Sequence, residues 1–445
     1  MAMTADKSSE TAREFGGAPG AGVIITLSHV LLLYLWIAWR FHDGAIFYPV
    51  GISDLGPFFA RNWDLIVAHA MPSLSTFALY LGFLVAQGLM AAFLPGLEIR
   101  GLPIPSRGGN QLVYRCNAYT AWWLTLAVVA LLHFSGIFPL QTIYEQFGAL
   151  MIAAIVSANA IALAVHIGAK ITGNAERMSG NFLYDFFMGA WLNPRIGALD
   201  LKMWAEIRVS WLTLFLLTAS GAAHQFAEHG SVSVPMIFMV VAHFLYANAC
   251  MKGEECIPTT WDIFHEKWGW MLIFWNLAGV PFVYCFNSMY IASRPPFELS
   301  LPHTIFCFVL LFGAYYVFDT ANGQRNHFRM QINGSYVKRK TIPQLPWDTL
   351  KNPRYLDTAV GSKLLIDGWW RYVRKPHYTA DILMALSWGL ICGFENVLPY
   401  FYVTFFVIMI LHRARRDIAR CKKKYGKDWD RYTKEVPHLL IPKVF

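Results

Sequence analysis

The sequence predicts an all-α integral membrane fold of about ten transmembrane helices, since a span needs roughly 20 mostly apolar residues and such runs recur along the sequence. Two further observations agree. Of the 445 residues, 56% are hydrophobic and only 15% are charged, where soluble domains carry about a quarter charged residues. The net charge is +9, and the basic residues fall between the apolar runs rather than on a separable soluble domain. That placement suits loops on the inner side of a membrane. It argues against nucleic acid as a partner.

In sequence order the apolar runs cover 21–39, 66–94, 118–138, 146–168, 209–226, 234–250, 268–292, 303–319, 379–393 and 398–411. The last two form one stretch broken by Gly393, Glu395 and Pro399, which predicts a terminal helical hairpin. Residues 1–20 are rich in Ala, Gly and Glu and are expected to form a disordered cytosolic tail. The first run is too long for the apolar core of a cleavable signal peptide.

With the N-terminus inside, the inner segments hold Arg100, Arg107 and Arg115, then Lys170, Arg177, Arg195, Lys202 and Arg208, then the basic stretch 325–354 and the C-terminal tail. The outer segments hold little beyond Arg40, Arg61 and Arg294. This asymmetry and an even span count place both termini in the cytosol. The seven cysteines include no CxxC pair, so neither a disulfide framework nor a zinc site is expected. HEKW (265–268) is not a zinc HExxH, no GxGxxG or Walker loop occurs, and no inverted repeat of the transporter kind is visible. The protein divides into the tail, a bundle over 21–319, and a C-terminal part over 320–445 with two long polar blocks flanking the hairpin.

Those blocks carry the densest chemistry. The tail HRARRDIARCKKKYGKDWDRY (412–432) interleaves cations with Asp417, Tyr425, Trp429 and Tyr432. One reading is a lipid anchor. The other is a phosphate- and ribose-binding surface, in which Arg and Lys meet phosphate oxygens and Asp417 accepts from a ribose hydroxyl or a carboxamide. Interspersed Asp417 favours the second, since a lipid anchor gains nothing from a carboxylate. LLIDGWWRYVRKPHYTADI (364–382) again mixes cations and aromatics. Pro376 disfavours helix at Lys375, so a turn is expected before a helix capped by Thr379, whose N-terminus suits an anion. In NGQRNHFR (322–329), Arg325 and Arg329 are four apart and share one helical face.

Ionisable groups inside or at the edge of a span are costly and functional by default. GEECIPTTWDIFHEKWGW (253–270) brings Glu254, Glu255, Asp262, His265 and Glu266 to such an edge. WNLAGVPFVYCFN (275–287) sets Asn276, Tyr284 and Asn287 in apolar sequence, with Pro281 able to open the helix. Tyr284 reads either as a proton donor in a dry pocket or as a buried tyrosine bonded to a carbonyl. Asp185, Asn193, Arg195, Asp200 and Glu206 form a further polar set without an assigned role.

The stretches NFLYDFFMGAWLNPRIG, LLIDGWWRYVRKPHYTADILMALSWGL and LHRARRDIARCKKKYGKDWDRY closely resemble the sterol reductase family of polytopic membrane enzymes. This family includes the sterol C-14, C-7 and C-24(28) reductases and the membrane part of the lamin B receptor. The resemblance runs from about residue 175 to the C-terminus. It implies a ten-helix bundle whose C-terminal half forms a cytosol-facing NADPH pocket. It implies that Arg325 and Arg329 meet the cofactor phosphates. It also implies cofactor contacts from Leu365, Trp370, His377, Tyr378, Asp417, Cys421, Lys424, Tyr425 and Tyr432. His377 replaces an Asn usual in several C-14 and C-7 members and still donates one hydrogen bond. Where those members carry a GD(L/C)VW-type segment, this protein has WNLAGVPFVYCFN, which with MGAWLNPRIG and KMWAEIR looks like the C-24(28) reductases of ergosterol synthesis. C-14 or C-7 reduction is the alternative bond.

An isolated sterol alkene is not polarised, so the expected route is protonation by a protein acid followed by hydride transfer. Tyr284 is the expected acid, with Glu255, Asp262 and Tyr432 as rivals. The expected partners are a sterol and membrane lipid, with no required protein partner and no metal. The membrane is that of the endoplasmic reticulum in a eukaryote, or the cytoplasmic membrane in a bacterium. Two other classes stay open: a methyltransferase of the isoprenylcysteine type, which shares the RKPxY-like turn but is much shorter, and a non-catalytic sterol-binding protein.

Overall fold

The computed structural model describes residues 14–338 and 340–443. Within them the protein is helical, and its strands make three two-stranded antiparallel ribbons. Six helices are long and apolar enough to cross a membrane: Glu14–Phe41, Leu74–Phe93, Phe147–Ile171, Val234–Lys252, Trp270–Ala292 and Leu301–Ile332. The other expected spans are helical too, but Ala118–Phe134, Ser210–His229, Pro376–Leu390 and Phe401–Tyr425 do not reach that length and apolarity.

Helix α1 (Gly17–Phe41) follows a short 3₁₀ turn at Glu14–Gly16. The expected tail over 1–20 is therefore corrected over 14–20, which are helical; 1–13 lie outside the described residues. Phe15 packs its ring on Phe187 (centroids 5.5 Å apart), which anchors this start. The run 66–94 is two helices, α2 (Leu55–His69) and α3 (Leu74–Phe93). Pro72 lies in the break, and Ser73 caps α3 by accepting from the Thr76 amide at 3.2 Å. Next come α4 (Ala118–Phe134), α5 (Phe147–Ile171), α6 (Ser210–His229) and α7 (Val234–Lys252).

Helix α8 (Trp270–Ala292) is the most buried span, and it is not a continuous α-helix. A π turn occupies Trp275–Gly279 before regular helix resumes at Val280–Tyr284. Pro281 has no N–H to give to the preceding turn. The carbonyls of Asn276 and Leu277 instead accept from the hydroxyls of Ser210 (2.8 Å) and Tyr80 (2.9 Å). The sequence signal for a local opening is thus met, and neighbouring helices satisfy the freed groups. A second π turn, Trp204–Val209, leads into α6 beside the first.

Helix α9 (Leu301–Ile332) has 32 residues, about 48 Å at 1.5 Å per residue. It outruns a hydrocarbon core of roughly 30 Å, so its final turns carry Arg325 and Arg329 beyond the apolar layer. Helices α10 (Pro376–Leu390) and α11 (Phe401–Tyr425) form the hairpin, and α12 (Lys427–Glu435) follows. The expected Thr379 cap is corrected: α10 begins with Pro376 in its first turn, and Thr379 instead donates to the Leu440 carbonyl at 2.7 Å. That bond fastens the C-terminal segment to the hairpin.

Candidate active site

The basic end of α9 meets the basic end of α11 across an open cavity of about 550 Å³. Arg325 and Arg329, one turn apart, both line it. Neither has a carboxylate partner within salt-bridge distance among the described residues. Arg325 pushes the Arg329 guanidinium down to about 9, with burial adding to the effect. Two close, unneutralised guanidiniums are an anion site. Arg325 also stands over the Trp370 ring at 5.0 Å, which fixes its direction.

Leu365, Trp370, Asp417, Cys421, Lys424, Tyr425 and Tyr432 line the same cavity. The two others of the expected cofactor set stand behind this wall. His377 lies against Trp370 (centroids 5.2 Å) and Tyr378 (4.3 Å), and burial holds it neutral, well below the usual imidazole range. Asp417 accepts from Lys375 and, at 2.7 Å, from Arg420. Burial alone would raise its carboxyl, but the Lys375 charge and these bonds outweigh it and hold Asp417 well below the carboxylate range. Asp417 therefore organises two cations at the rim. Burial pushes Tyr432 up to about 12. The sequence reading missed the ribbon that pairs Tyr355–Asp357 with Lys363–Leu365 and closes one side of the cavity. Its signal is Gly361 between short apolar runs, and this glycine takes a φ of 80°.

A second cavity of about 340 Å³ adjoins the first. Along α9, Phe318, Asp319 and Asn322 face the inner cavity, and Arg325 and Asn326 the outer. Along α11, Arg413 faces the inner cavity and Asp417 the outer. In the 3₁₀ turn Glu254–Thr259, Glu255 and Thr259 face the outer cavity and Cys256 and Ile257 the inner. About one helical turn, roughly 5.4 Å, thus separates the two along α9 and α11, and the 3₁₀ turn presents a different face to each. The inner walls are mostly apolar, with Trp211, Leu272, Val280 and Phe318 among them.

Three carboxylates line the inner cavity. Asp319 is paired with Lys252 at 2.7 Å. Asp262 accepts from Arg413 at 2.8 Å, and although burial opposes it, the Arg413 charge keeps Asp262 below the usual carboxylate range. Glu206 has no ion pair, and its Oε2 is buried without a hydrogen-bond partner among the described residues. Burial, reinforced by Asp262, pushes Glu206 up to about 8, so it is mostly protonated at neutral pH.

The expected acid and its rivals are not together: Tyr432 lines the outer cavity. Glu255 sits in the outer cavity with the expected cofactor residues, bonded by Asn326 at 3.4 Å. Asp262 sits in the inner cavity. Tyr284 lies one turn beyond Val280 on α8, with its ring 4.6 Å from that of Tyr402 and 6.3 Å from that of Trp211. Glu206, with no role in the sequence reading, is the acid that the fold adds to the inner cavity.

Residues 9–445 match the model of the ergosterol biosynthesis ERG4/ERG24 family. The chain is 45% identical to the Delta(24(24(1)))-sterol reductase erg4A of Aspergillus fumigatus, over 97% of its own length and 92% of that protein. It is 46% identical to the Delta(24(24(1)))-sterol reductase of Gibberella zeae, over 97% of its own length and 73% of that protein. It is 35% identical to the Delta(14)-sterol reductase of Methylotuvimicrobium alcaliphilum, over 93% of its own length and 92% of that protein. The resemblance seen in the sequence motifs thus extends into the N-terminal helices, and the chain belongs to the ergosterol biosynthesis ERG4/ERG24 family.

Proposed function

We propose that this protein is an NADPH-dependent sterol reductase that saturates the C-24(28) methylene bond of the sterol tail, the exocyclic bond that the 24(24(1)) numbering also denotes. The observation that carries this reading is the pair of adjoining cavities: an outer one lined by unneutralised cations and aromatic rings, and an inner one that is largely apolar. The outer residues fit NADPH. Arg325 and Arg329 hold phosphate oxygens; Leu365, Trp370, Tyr425 and Tyr432 cover the rings and ribose; Asp417 and Lys424 frame the rim, with His377 and Tyr378 supporting Trp370. Bound there, NADPH supplies the hydride. The relatives at 45% and 46% identity named for the 24(24(1)) bond favour that bond over C-14.

The protein's own part is to exclude water, orient the sterol and give a proton. In the inner cavity a 24(28)-methylene accepts the proton at C28, which leaves a tertiary cation at C24. Tyr284 is the donor in this reading. Its hydroxyl carries no ionic partner among the described residues, and it stands one turn beyond Val280, which lines the inner cavity, with its ring 6.3 Å from that of Trp211, another lining residue. Asp262 is tied to Arg413, and Glu255 faces the phosphate side. The sterol thus lies between a hydride source on the outer side and an acid on the inner side. Residues 21–319 supply most of the sterol chamber and 320–445 most of the cofactor chamber, with the outer cavity and both termini facing the cytosol. The membrane is that of the endoplasmic reticulum in a eukaryotic cell.

The test is a sterol profile. Purified protein in detergent receives NADPH with, separately, a 24(28)-methylene sterol and a Δ14 sterol, and products are identified by mass spectrometry. Saturation of the 24(28) bond alone supports the proposal. Saturation of Δ14 alone overturns the choice of bond.

A further inference from the structure

The two π turns lie side by side and both open onto the inner cavity. Glu206 projects from the turn Trp204–Val209 and Asn276 from the turn Trp275–Gly279. The Ser210 hydroxyl is shared between the carbonyls of Ala205 (3.1 Å) and Asn276 (2.8 Å), which locks the turns together. π turns of this kind shift side chains out of helical register and recur at functional sites. Of the buried side-chain atoms these turns leave unsatisfied among the described residues, two belong to residues that line the inner cavity: Glu206 Oε2, an acceptor, and Asn276 Nδ2, a donor. Such groups cost free energy when left unpaired, and native proteins seldom keep two of them on one cavity wall.

One acceptor and one donor on the same wall complement a primary carboxamide, which offers an N–H and a carbonyl oxygen side by side. The sterol offers only a single hydroxyl, and that group is at the opposite end of the molecule from its alkyl tail. The wall also lies at the level of Arg413, which lines the inner cavity one turn before Asp417 lines the outer. Tyr284 is eight positions beyond Asn276 on α8, about 12 Å deeper along a helix.

We infer that Glu206 and Asn276 form the seat of the nicotinamide carboxamide, with Glu206 Oε2 accepting its N–H and Asn276 Nδ2 donating to its oxygen. They are positioning residues: they set how deep the nicotinamide reaches and which face it turns to the sterol. The space between this seat and Tyr284 is where the alkene lies. A neutral Glu206 keeps its accepting carbonyl oxygen without placing a full negative charge beside the ring. The inference rests on the NADPH reading above and adds the anchor of its reactive end.

The test compares two probes by equilibrium binding to the detergent-purified full-length protein: NADPH, and 2′-phospho-ADP-ribose, which lacks the nicotinamide. Wild-type protein is expected to bind NADPH about tenfold more tightly or better, the weight of two buried hydrogen bonds. Glu206→Ala and Asn276→Ala are each expected to lose most of that advantage while holding 2′-phospho-ADP-ribose as the wild type does. Glu206→Gln, which keeps an acceptor oxygen, is expected to retain it. Retention of the full NADPH advantage by both alanine variants overturns the inference, as does equal binding of the two probes by wild type. If wild type binds neither probe, the NADPH reading itself fails, a result distinct from loss of the advantage alone. If an alanine variant no longer holds 2′-phospho-ADP-ribose, the near-isosteric Asn276→Leu and Glu206→Met variants carry the same comparison.

Discussion

Arg413 Nη2 donates to Asp262 Oδ2 at 2.8 Å, and this bond joins helix α11 to the short helical turn Trp261–Phe264 that precedes α8, with both residues lining the inner cavity. Glu206 also feels both charges: Asp262 raises its carboxyl and Arg413 lowers it. Burial is the largest influence on Glu206; Lys202 also lowers it, but the Lys202 ammonium donates to the carbonyls of Asp262, Ile263 and Glu266, so Arg413 is left to bond one of the two carboxylates. Asp262 takes the bond and stays ionised, so Glu206 keeps its proton. Environments that push two acids apart in this way set which one can donate and which cannot.

The first expected outcome concerns pH. Glu206 is raised to about 8 in the folded protein, against about 4.3 in an unfolded polypeptide. A folded value above the unfolded one gives a stabilising contribution that is complete below about 4.3 and is lost as pH rises through about 8. Wild-type Tm in detergent is therefore expected to fall between pH 6 and pH 9 by more than that of Glu206→Gln, whose side chain does not titrate. Parallel curves for the two proteins would show that Glu206 is ionised throughout.

Asp262→Asn removes the like charge beside Glu206 and frees Arg413 to serve it. The Glu206 carboxyl is then expected to drop towards ordinary values, and the difference in pH dependence between Asp262→Asn and Asp262→Asn/Glu206→Gln to shift to lower pH. Arg413→Met does the opposite: it leaves two buried acids with only the charges of Lys202 and Arg420 nearby, neither bonded to the two carboxylates, and the Tm loss is expected to exceed that of Asp262→Asn. An equal loss in the two variants would mean that Arg413 contributes packing alone.

Lys252 and Asp319 make a second ion pair, 2.7 Å long, with side chains 3% and 7% exposed. Removing one partner of such a pair strands the other charge and costs about 3–5 kcal/mol, whereas replacing both by apolar groups is often close to neutral. Lys252→Met is thus expected to lower Tm more than Lys252→Met with Asp319→Leu. Asp319 lines the inner cavity, so the double variant also reports on substrate binding. A double variant less stable than the single one would assign Asp319 a structural partner besides Lys252.

Much of this arrangement is legible in the sequence, for physical reasons that differ from element to element. Apolar runs mark the bundle because backbone polar groups in lipid must be satisfied within helices. The Arg325–Arg329 spacing marks a face because four positions are about one turn. Pro281 marks the opening of α8 because it lacks an N–H. What the sequence hides is pairing between distant segments. Nothing local to Asp262 announces that Arg413 will bond it, or that Glu206 will be left without a cation. Thr379 looks like a cap, yet Pro376 starts the helix earlier and Leu440 takes the hydroxyl. The π turn at Trp204–Val209 contains no proline or glycine, so its location depends on Ser210 meeting the carbonyl of Asn276, 66 positions away.

The last expected outcome tests the acid. Tyr284→Phe removes one hydroxyl and leaves the ring to pack on Tyr402 and Trp211, so Tm is expected to stay within a few degrees of wild type. A positioned proton donor contributes about 10²–10⁴-fold to rate, and kcat for the 24(28)-methylene sterol is expected to fall by that order. The Kd for NADPH is expected not to move, since α8 supplies none of the outer cavity's phosphate-facing cations. The solvent deuterium isotope effect on kcat separates donation from mere orientation. A large effect in wild type that vanishes in Tyr284→Phe, with residual slow turnover, places the hydroxyl in the proton-transfer step. Normal turnover by Tyr284→Phe would remove Tyr284 from that role and move it to Glu206, the remaining inner-cavity acid without an ion pair among the described residues.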